Sequence, residues 1–282
     1  MNDLDIKRRR IKDLIVPIIV WILIIVVFLN VRNIPYNFTD KDNVVLRYFV
    51  KFIITIILPL ALIVLLFKDK RDFGIYFPKF SDSFKLSLRG YAIAGPAGIT
   101  FLLIGLLGWG FQDWFGSITL SIVYFVALYF IPKVTKKLPT RDHKVEPNNH
   151  IRTFVILSLS TVIFAYFTYN YIPVVSKVLY YIFIVGLGEE LLFRGYLQSS
   201  FNRYFGKSFN IGNVRFGWGL ILSSVLFGMM HALVVVPPLW PWALFTFVLG
   251  LILGFIREKD GSILSAVILH AMLDMPLVFF TP

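Results

Sequence analysis

Nine stretches of this chain are apolar enough, for long enough, that lipid is the only solvent to suit them all. They run at about residues 14–31, 48–67, 90–111, 118–132, 153–173, 177–197, 216–236, 239–256 and 262–280. A helix needs roughly 20 apolar residues to cross a hydrocarbon core about 30 Å thick. Backbone groups in hydrocarbon must bond within their own segment, so each stretch reads as a helix. Composition agrees: 57% of residues are hydrophobic and 16% charged, against roughly 25% charged in a soluble domain. The sequence predicts an all-α polytopic membrane protein with about nine transmembrane helices. Eight is the alternative count, with the short fourth stretch re-entrant.

The net charge of +12 raises the question of nucleic acid, but its distribution answers it. Basic residues gather in alternate connections: Lys68 to Arg89, Lys133 to Arg152, Arg203 to Arg215, and Arg257 with Lys259. The connections 112–117 and 234–242 carry none. This is the positive-inside pattern, and it predicts a cytoplasmic N-terminus and no nucleic-acid partner. The segment 32–47, with Arg32, Lys41 and Arg47, fits it least well. Lys7 to Arg10 followed by an apolar run resembles a signal peptide, yet no small-residue cleavage site follows, so a retained first span is expected. Residues 68–89, which mix Phe73, Tyr76, Phe77 and Phe80 with lysines, are expected to lie partly along the inner surface. No cysteine occurs, which removes disulfides, thiol nucleophiles and thiolate metal sites. The polar linker 133–152 suggests a division into accessory helices, 1–150, and a chemistry-bearing core, 151–282.

Only four glutamates occur, and two of them, Glu189 and Glu190, sit inside an apolar run with Arg194 nearby. A carboxylate in hydrocarbon is expensive and marks a working site. The other ionisable groups expected deep in the membrane are His231, His270 and Asp274, so all six belong to spans six, seven and nine. Glu190 and Arg194 are four apart and share a helix face, as do Phe227 and His231, and His270 and Asp274. Glu189 is turned about 100° from Glu190, so the two carboxylates cannot both meet Arg194. At about 1.5 Å per residue, Glu189, His231 and His270 all fall near mid-membrane. A carboxylate balanced by a cation can act as general base on water, and imidazoles can position that water or donate to an oxyanion. His143 and His150 lie in the polar linker and are read as solvated. Gly186-Leu187-Gly188 is read as permitting close helix packing.

Glu189-Glu190-Leu191-Leu192-Phe193-Arg194, then Phe227-Gly228-Met229-Met230-His231, then His270-Ala271-Met272-Leu273-Asp274 resembles the CPBP family. These are the CAAX-protease and bacteriocin-processing (Abi) intramembrane glutamic endopeptidases, with E-E-x-x-x-R, F-x-x-x-H and H-x-x-x-N/D in that order. The resemblance covers roughly 177–280, and residues 1–150 show no family signature. It implies that Glu189 activates water with His231, that His270 and position 274 stabilise the oxyanion, and that Glu190, Arg194 and Phe227 support the site. It implies no metal and no cofactor. Its substrates would be membrane-associated or prenylated proteins or peptides, and its setting a multi-pass position in lipid. The Lys-, Ile-, Asn- and Phe-rich usage points to a prokaryotic plasma membrane. Asp274 stands where prenyl-protein proteases of the family commonly show Asn. An ionised carboxylate cannot donate to an oxyanion, so Asp274 is expected to orient His270.

Other readings stay open on the residues alone. Glu189, His231, His270 and Asp274 are acceptable zinc ligands. The chain could equally be a non-catalytic scaffold or bacteriocin-immunity protein, or a proton-relay transporter. Gly186-Leu187-Gly188-Glu189 comes near the G-x-G-D element of aspartyl intramembrane proteases. A zinc protease needs H-E-x-x-H, and neither His231 nor His270 is followed by Glu.

Overall fold

The computed structural model describes residues 3–31, 41–141, 147–276 and 278. Its helices follow the apolar stretches. α1 (Asp3–Val31) is succeeded by α2 (Lys41–Phe52), which runs through the π-helical turn Ile53–Ile57 into α3 (Leu58–Leu66). α4 (Phe80–Ala94) and α5 (Pro96–Leu106) form one kinked rod, followed by α6 (Trp114–Thr135) and α7 (Asn148–Thr168). The kink sits at Pro96, whose ring cannot continue the hydrogen-bond ladder. Residues 173–205 are helical throughout: α8 (Pro173–Tyr180), a π segment at Tyr181–Gly186, α9 (Leu187–Glu190), a second at Leu191–Leu197, and α10 (Gln198–Phe205). α11 (Trp218–Leu233), α12 (Trp240–Asp260) and α13 (Leu264–Asp274) complete the bundle.

The chain is an all-α membrane protein. Among the described residues six helices are long and apolar enough to cross a bilayer: Ile11–Asn30, Val44–Leu66, Phe80–Leu106, Trp114–Thr135, His150–Thr168 and Trp240–Asp260. The fourth is a full 22 residues, longer than the 118–132 read from sequence. α11 and α13 are apolar but shorter. The uninterrupted helix α13 has 11 residues, a rise of about 16 Å; of the stretch read to 280, residues 277, 279 and 280 lie outside the described residues. The outward faces suit lipid: Ile15, Ile19, Ile22, Leu23 and Val26 of α1 are exposed while Val20, Trp21, Ile24 and Ile25 are buried.

Sheet is confined, among the described residues, to the hairpin β1 (Phe209–Ile211) and β2 (Val214–Phe216). Gly212 takes the positive φ (65°) that the first position of its two-residue turn requires.

Two apolar cores form, and each draws on both sides of position 150. One joins Ile24, Phe52, Ile56 and Phe73 to Leu191, Phe193, Tyr196 and Phe227. The other joins Ala94, Tyr124 and Ile131 to Leu220, Ile252 and Leu269. α11 and α12 pack tightly because glycines sit where they cross. A Cβ on Gly228 would strike the carbonyl of Ala243, and one on Gly250 would press on Ser224.

The segment after α3 corrects a sequence expectation. Phe73, Ile75 and Tyr76 are buried, not spread along a membrane surface, and Ile263 N–H donates to the Gly74 carbonyl. Phe80 alone of the four aromatics read as surface-lying is exposed. His150 is also not simply solvated: it is half-buried, accepts from the Phe77 N–H at 3.4 Å and packs on the Phe77 ring. His143 lies outside the described residues.

Candidate active site

Glu189 and Glu190 sit in α9, four residues of α-helix between two π segments, where side chains of the long 173–205 rod are re-aimed one residue at a time. From Ile184 to Asn202 every residue is buried. The two carboxylates diverge as helix geometry requires, and each finds its own cation.

Glu190 meets Arg194 one turn on, with Nη1 3.1 Å from Oε1 and both side chains fully buried. The same oxygen accepts from His270 Nδ1 at 2.8 Å. Arg194 also donates to the Gly250 carbonyl (3.2 Å) and lies 4.4 Å over the Phe227 ring, a cation–π contact in a dry setting. Phe227 thus supports the site through its ring and its backbone alike, because its carbonyl lies 2.8 Å from His231 Nδ1.

These partners fix the histidine protons. A carbonyl only accepts, so His231 Nδ1 carries hydrogen. The ionised Glu190 also only accepts, so His270 Nδ1 carries hydrogen too. Both imidazoles therefore turn Nε2 inward. His231 Nε2 is 4.0 Å and His270 Nε2 3.9 Å from a single atom, Glu189 Oε2. That oxygen is buried and makes no hydrogen bond to protein. Separations near 4 Å between a buried acceptor and two ring nitrogens are those a bridging water spans. Asp274 Oδ2 stands 3.5 Å from His270 Nε2, on the inward side of the ring. Glu190, not Asp274, fixes the outer nitrogen, so the orienting task expected of Asp274 belongs first to Glu190.

Glu189 Oε1 corrects the sequence reading more sharply. It accepts from Lys51 Nζ at 2.7 Å. Lys51 lies on α2, so the deep ionisable groups do not all belong to spans six, seven and nine. Gly188 makes this pairing possible. A Cβ there would run into Thr55, whose hydroxyl donates to the Lys51 carbonyl at 2.8 Å. The bare backbone of Gly188 lets the Lys51 turn of α2 come against α9, as small residues do between membrane helices.

The site opens into a cavity of about 570 Å³, lined by Lys51, Glu189, Phe227, His231, His270 and Asp274 together with apolar and aromatic groups from α2, α4, α5 and α6. That size is within the range of ligand sites. Among the described residues no group of three or more His, Asp or Glu side chains is arranged to hold a metal ion.

Residues 171–275 match the family model described as "Type II CAAX prenyl endopeptidase Rce1-like". Over these residues the chain matches the CAAX-protease (CPBP) family. The family match supports a CAAX-type intramembrane protease in general terms, in a multi-pass membrane protein. No curated protein and no solved structure matches the chain. The CAAX-protease segment contains all seven residues singled out from sequence, Glu189, Glu190, Arg194, Phe227, His231, His270 and Asp274. Lys51 falls outside it.

A second set escaped the sequence reading. Gln198 and Asn202 continue the four-residue spacing of Arg194, and the three face Gly250, Gly254 and Glu258 of α12, spaced likewise. Arg194 donates to Gly250 O, Gln198 to Gly254 O (3.3 Å) and to Glu258 Oε1 (2.7 Å), and Asn202 to the same oxygen (2.8 Å). The four-residue spacing was the available signal, and it continues beyond Arg194 into residues that look unremarkable singly.

Proposed function

We propose that this protein is an intramembrane glutamic endopeptidase that hydrolyses a peptide bond in a membrane-associated or lipid-anchored substrate. The observation that carries the reading is the meeting of Glu189 Oε2 with two imidazole Nε2 atoms, at 3.9 and 4.0 Å, inside the cavity. In this reading the rod 173–205, α11 and α13 join the six long helices as spans. That gives nine crossings, an N-terminus in the cytoplasm and a place in a prokaryotic plasma membrane. Residues 151–282 carry the catalytic core, and 1–150 close the cavity and supply Lys51.

The steps follow from the proton inventory. Water held among Glu189 Oε2, His231 Nε2 and His270 Nε2 gives a proton to Glu189 as its oxygen bonds to the scissile carbonyl carbon. The carbonyl π electrons move to oxygen. His270, flanked by the carboxylates of Glu190 at Nδ1 and Asp274 near Nε2, acts as the imidazolium in this reading and donates Nδ1–H to Glu190 and Nε2–H to that oxyanion. Asp274 balances its charge. When the tetrahedral intermediate collapses, the C–N bond breaks and the amine leaves with the proton that Glu189 took, relayed through His231 Nε2. Lys51 holds Glu189 in one rotamer and compensates its charge in an apolar cavity.

Hydrolysis of a farnesylated C-terminal peptide and of an unlipidated apolar peptide by the purified protein tests this. Wild type is expected to cut at least one of them, and Glu189→Gln and His231→Ala, shown to be folded, to cut neither. Folded Glu189→Gln protein with undiminished hydrolysis would overturn the reading. Activity that a chelator abolishes and zinc restores would replace it with the metal alternative.

A further inference from the structure

The cavity that reaches Glu189 belongs to one end of the bundle. Its walls include Phe28 at the end of α1, Arg47 near the start of α2, Phe101 and Phe111 on either side of the α5–α6 turn, Val235 after α11 and Trp242 at the start of α12. None of its lining residues comes from 67–79, 136–141, 206–217 or 257–263, the connections of the opposite end.

Toward that opposite end the protein is closed in two layers. Leu191, Leu192, Phe193, Arg194 and Leu197 are wholly buried behind the catalytic carboxylate. Beyond them the connections are tied to the end of α12. Arg141 pairs with Asp82 (2.6 Å) and Asp260 (2.9 Å), and Lys259 donates to Thr140 and Asn213. Arg257 donates to the Asp72 carbonyl, and Lys207 pairs with Glu258 at 2.6 Å. A peptide has no route through this layer without breaking several partly buried charge pairs.

Charge distinguishes the two ends. The closed end carries Lys68, Arg71, Lys79, Lys137, Lys207 and Arg215, among others; of the remaining connections, 107–113, 169–172 and 234–239 contain no Lys or Arg, and 32–47 carries the three basic residues Arg32, Lys41 and Arg47. Basic connections stay in the cytoplasm. We propose that the cavity opens to the extracytoplasmic side and takes its substrate from there: an extended peptide segment, apolar on both sides of the cut bond, presented at the outer leaflet. The inference rests on the protease reading above and narrows its substrate. An extended segment is required because a peptide bond inside a helix has its carbonyl engaged and screened by side chains. Apolar flanks are required because aromatic groups such as Phe101, Phe111, Tyr124 and Trp242 form much of the wall. A lipidated tail in the cytoplasm would face the closed end.

The absence of native cysteine makes a direct test available. Single cysteines are placed at Gln112 (exposed, open end), Val235 (cavity wall) and Lys137 (exposed, closed end), and intact cells are treated with a membrane-impermeant maleimide. Gln112→Cys and Val235→Cys are expected to label in intact cells, and Lys137→Cys only after permeabilisation. Right-side-out vesicles are expected to cleave a quenched apolar peptide bearing a charged, impermeant tail, and inside-out vesicles to leave it intact. The reversed labelling pattern, with Glu189→Gln still inactive, would overturn the outward opening and leave the protease standing. The expected pattern with Glu189→Gln vesicles cleaving normally would overturn the protease and leave the opening standing. Labelling of Gln112→Cys but not Val235→Cys in intact cells, with both reactive in detergent, would show that the cavity does not communicate with that face.

Discussion

Both ends of this bundle bury charge, and they do so in opposite ways. At the closed end Glu258 is surrounded: Gln198, Asn202, Lys207 and Arg257 all address its two oxygens. Asp260 likewise takes Ser83, Ser265 and Arg141. At the open end Glu189 has one oxygen engaged, by Lys51, and the other facing two ring nitrogens across a gap that a water molecule fits. A carboxylate whose two oxygens both face cations or amide donors holds helices together and is poorly placed to take a proton. A carboxylate with one committed oxygen and one uncommitted is held in place yet able to take a proton. Arg194 and Gln198, in the ladder along α12, join the two regimes within three helical turns.

The sharpest way to break this contrast is to neutralise the two glutamates separately. Glu189→Gln is expected to lower kcat by roughly 10²–10⁴, the worth of a positioned general base, with the thermal midpoint of detergent-solubilised protein nearly unchanged. Glu258→Ala leaves Arg257 and Lys207 without their common partner and is expected to cost about 3–5 kcal/mol of stability, read as a lowered midpoint. Its kcat per folded molecule should stay close to wild type. If Glu258→Ala reduced kcat as far as Glu189→Gln without loss of stability, the two ends would not be functionally distinct.

Lys51 tests the same contrast from the cation side. Lys51→Met removes a charged hydrogen bond worth about 1.5–3 kcal/mol, which as a barrier change is roughly ten- to a hundred-fold in rate. The loss should appear in kcat with KM little changed, and Lys51→Arg should restore part of it. A change confined to KM would make Lys51 a substrate contact and not a positioning residue.

Much of this was legible in sequence, and the reason is geometric. Residues four apart on one helix must share a face, so Glu190 with Arg194, Phe227 with His231 and His270 with Asp274 declared themselves before any coordinates. Contacts between helices carry no such offset. Lys51 stands near the start of an apolar stretch, where a lysine is expected to extend its amine toward the headgroups. Only the approach of Gly188 to Thr55 reveals that it turns inward to Glu189. The helices themselves were readable because hydrocarbon admits few alternatives, yet the ends were not. α6 begins at Trp114 and runs 22 residues, where hydropathy alone suggested a short stretch at 118–132. Phe73 and Tyr76 looked like interfacial aromatics because sequence cannot show that α10 and α12 leave a socket for them.

Gly188 offers a smaller and more local perturbation. Gly188→Ala places a methyl group against the Thr55 hydroxyl, and overpacking of this kind costs about 1–3 kcal/mol. Because Thr55 bonds the Lys51 carbonyl, the strain should also displace the lysine and lower kcat. Thr55→Ala in the same chain is expected to recover both. A double-mutant cycle with no coupling between 188 and 55 would mean that the close approach does not position Lys51.

The smallest effect is expected at Asp274, where substitution separates charge from shape. Oδ2 lies 3.5 Å from His270 Nε2, beyond a good hydrogen bond, while the other ring nitrogen is held at 2.8 Å by Glu190. Asp274→Asn keeps the volume and one acceptor oxygen and adds a donor that can face the oxyanion, so kcat should change by less than about tenfold, or ~1.4 kcal/mol. Asp274→Leu removes both the polarity and the charge balance of the imidazole and should lose considerably more. A loss in Asp274→Asn as deep as that of Glu189→Gln would make the aspartate a second proton acceptor. The open end would then hold two uncommitted carboxylates, and the contrast with Glu258 would rest on their sharing a proton and not on Glu189 alone.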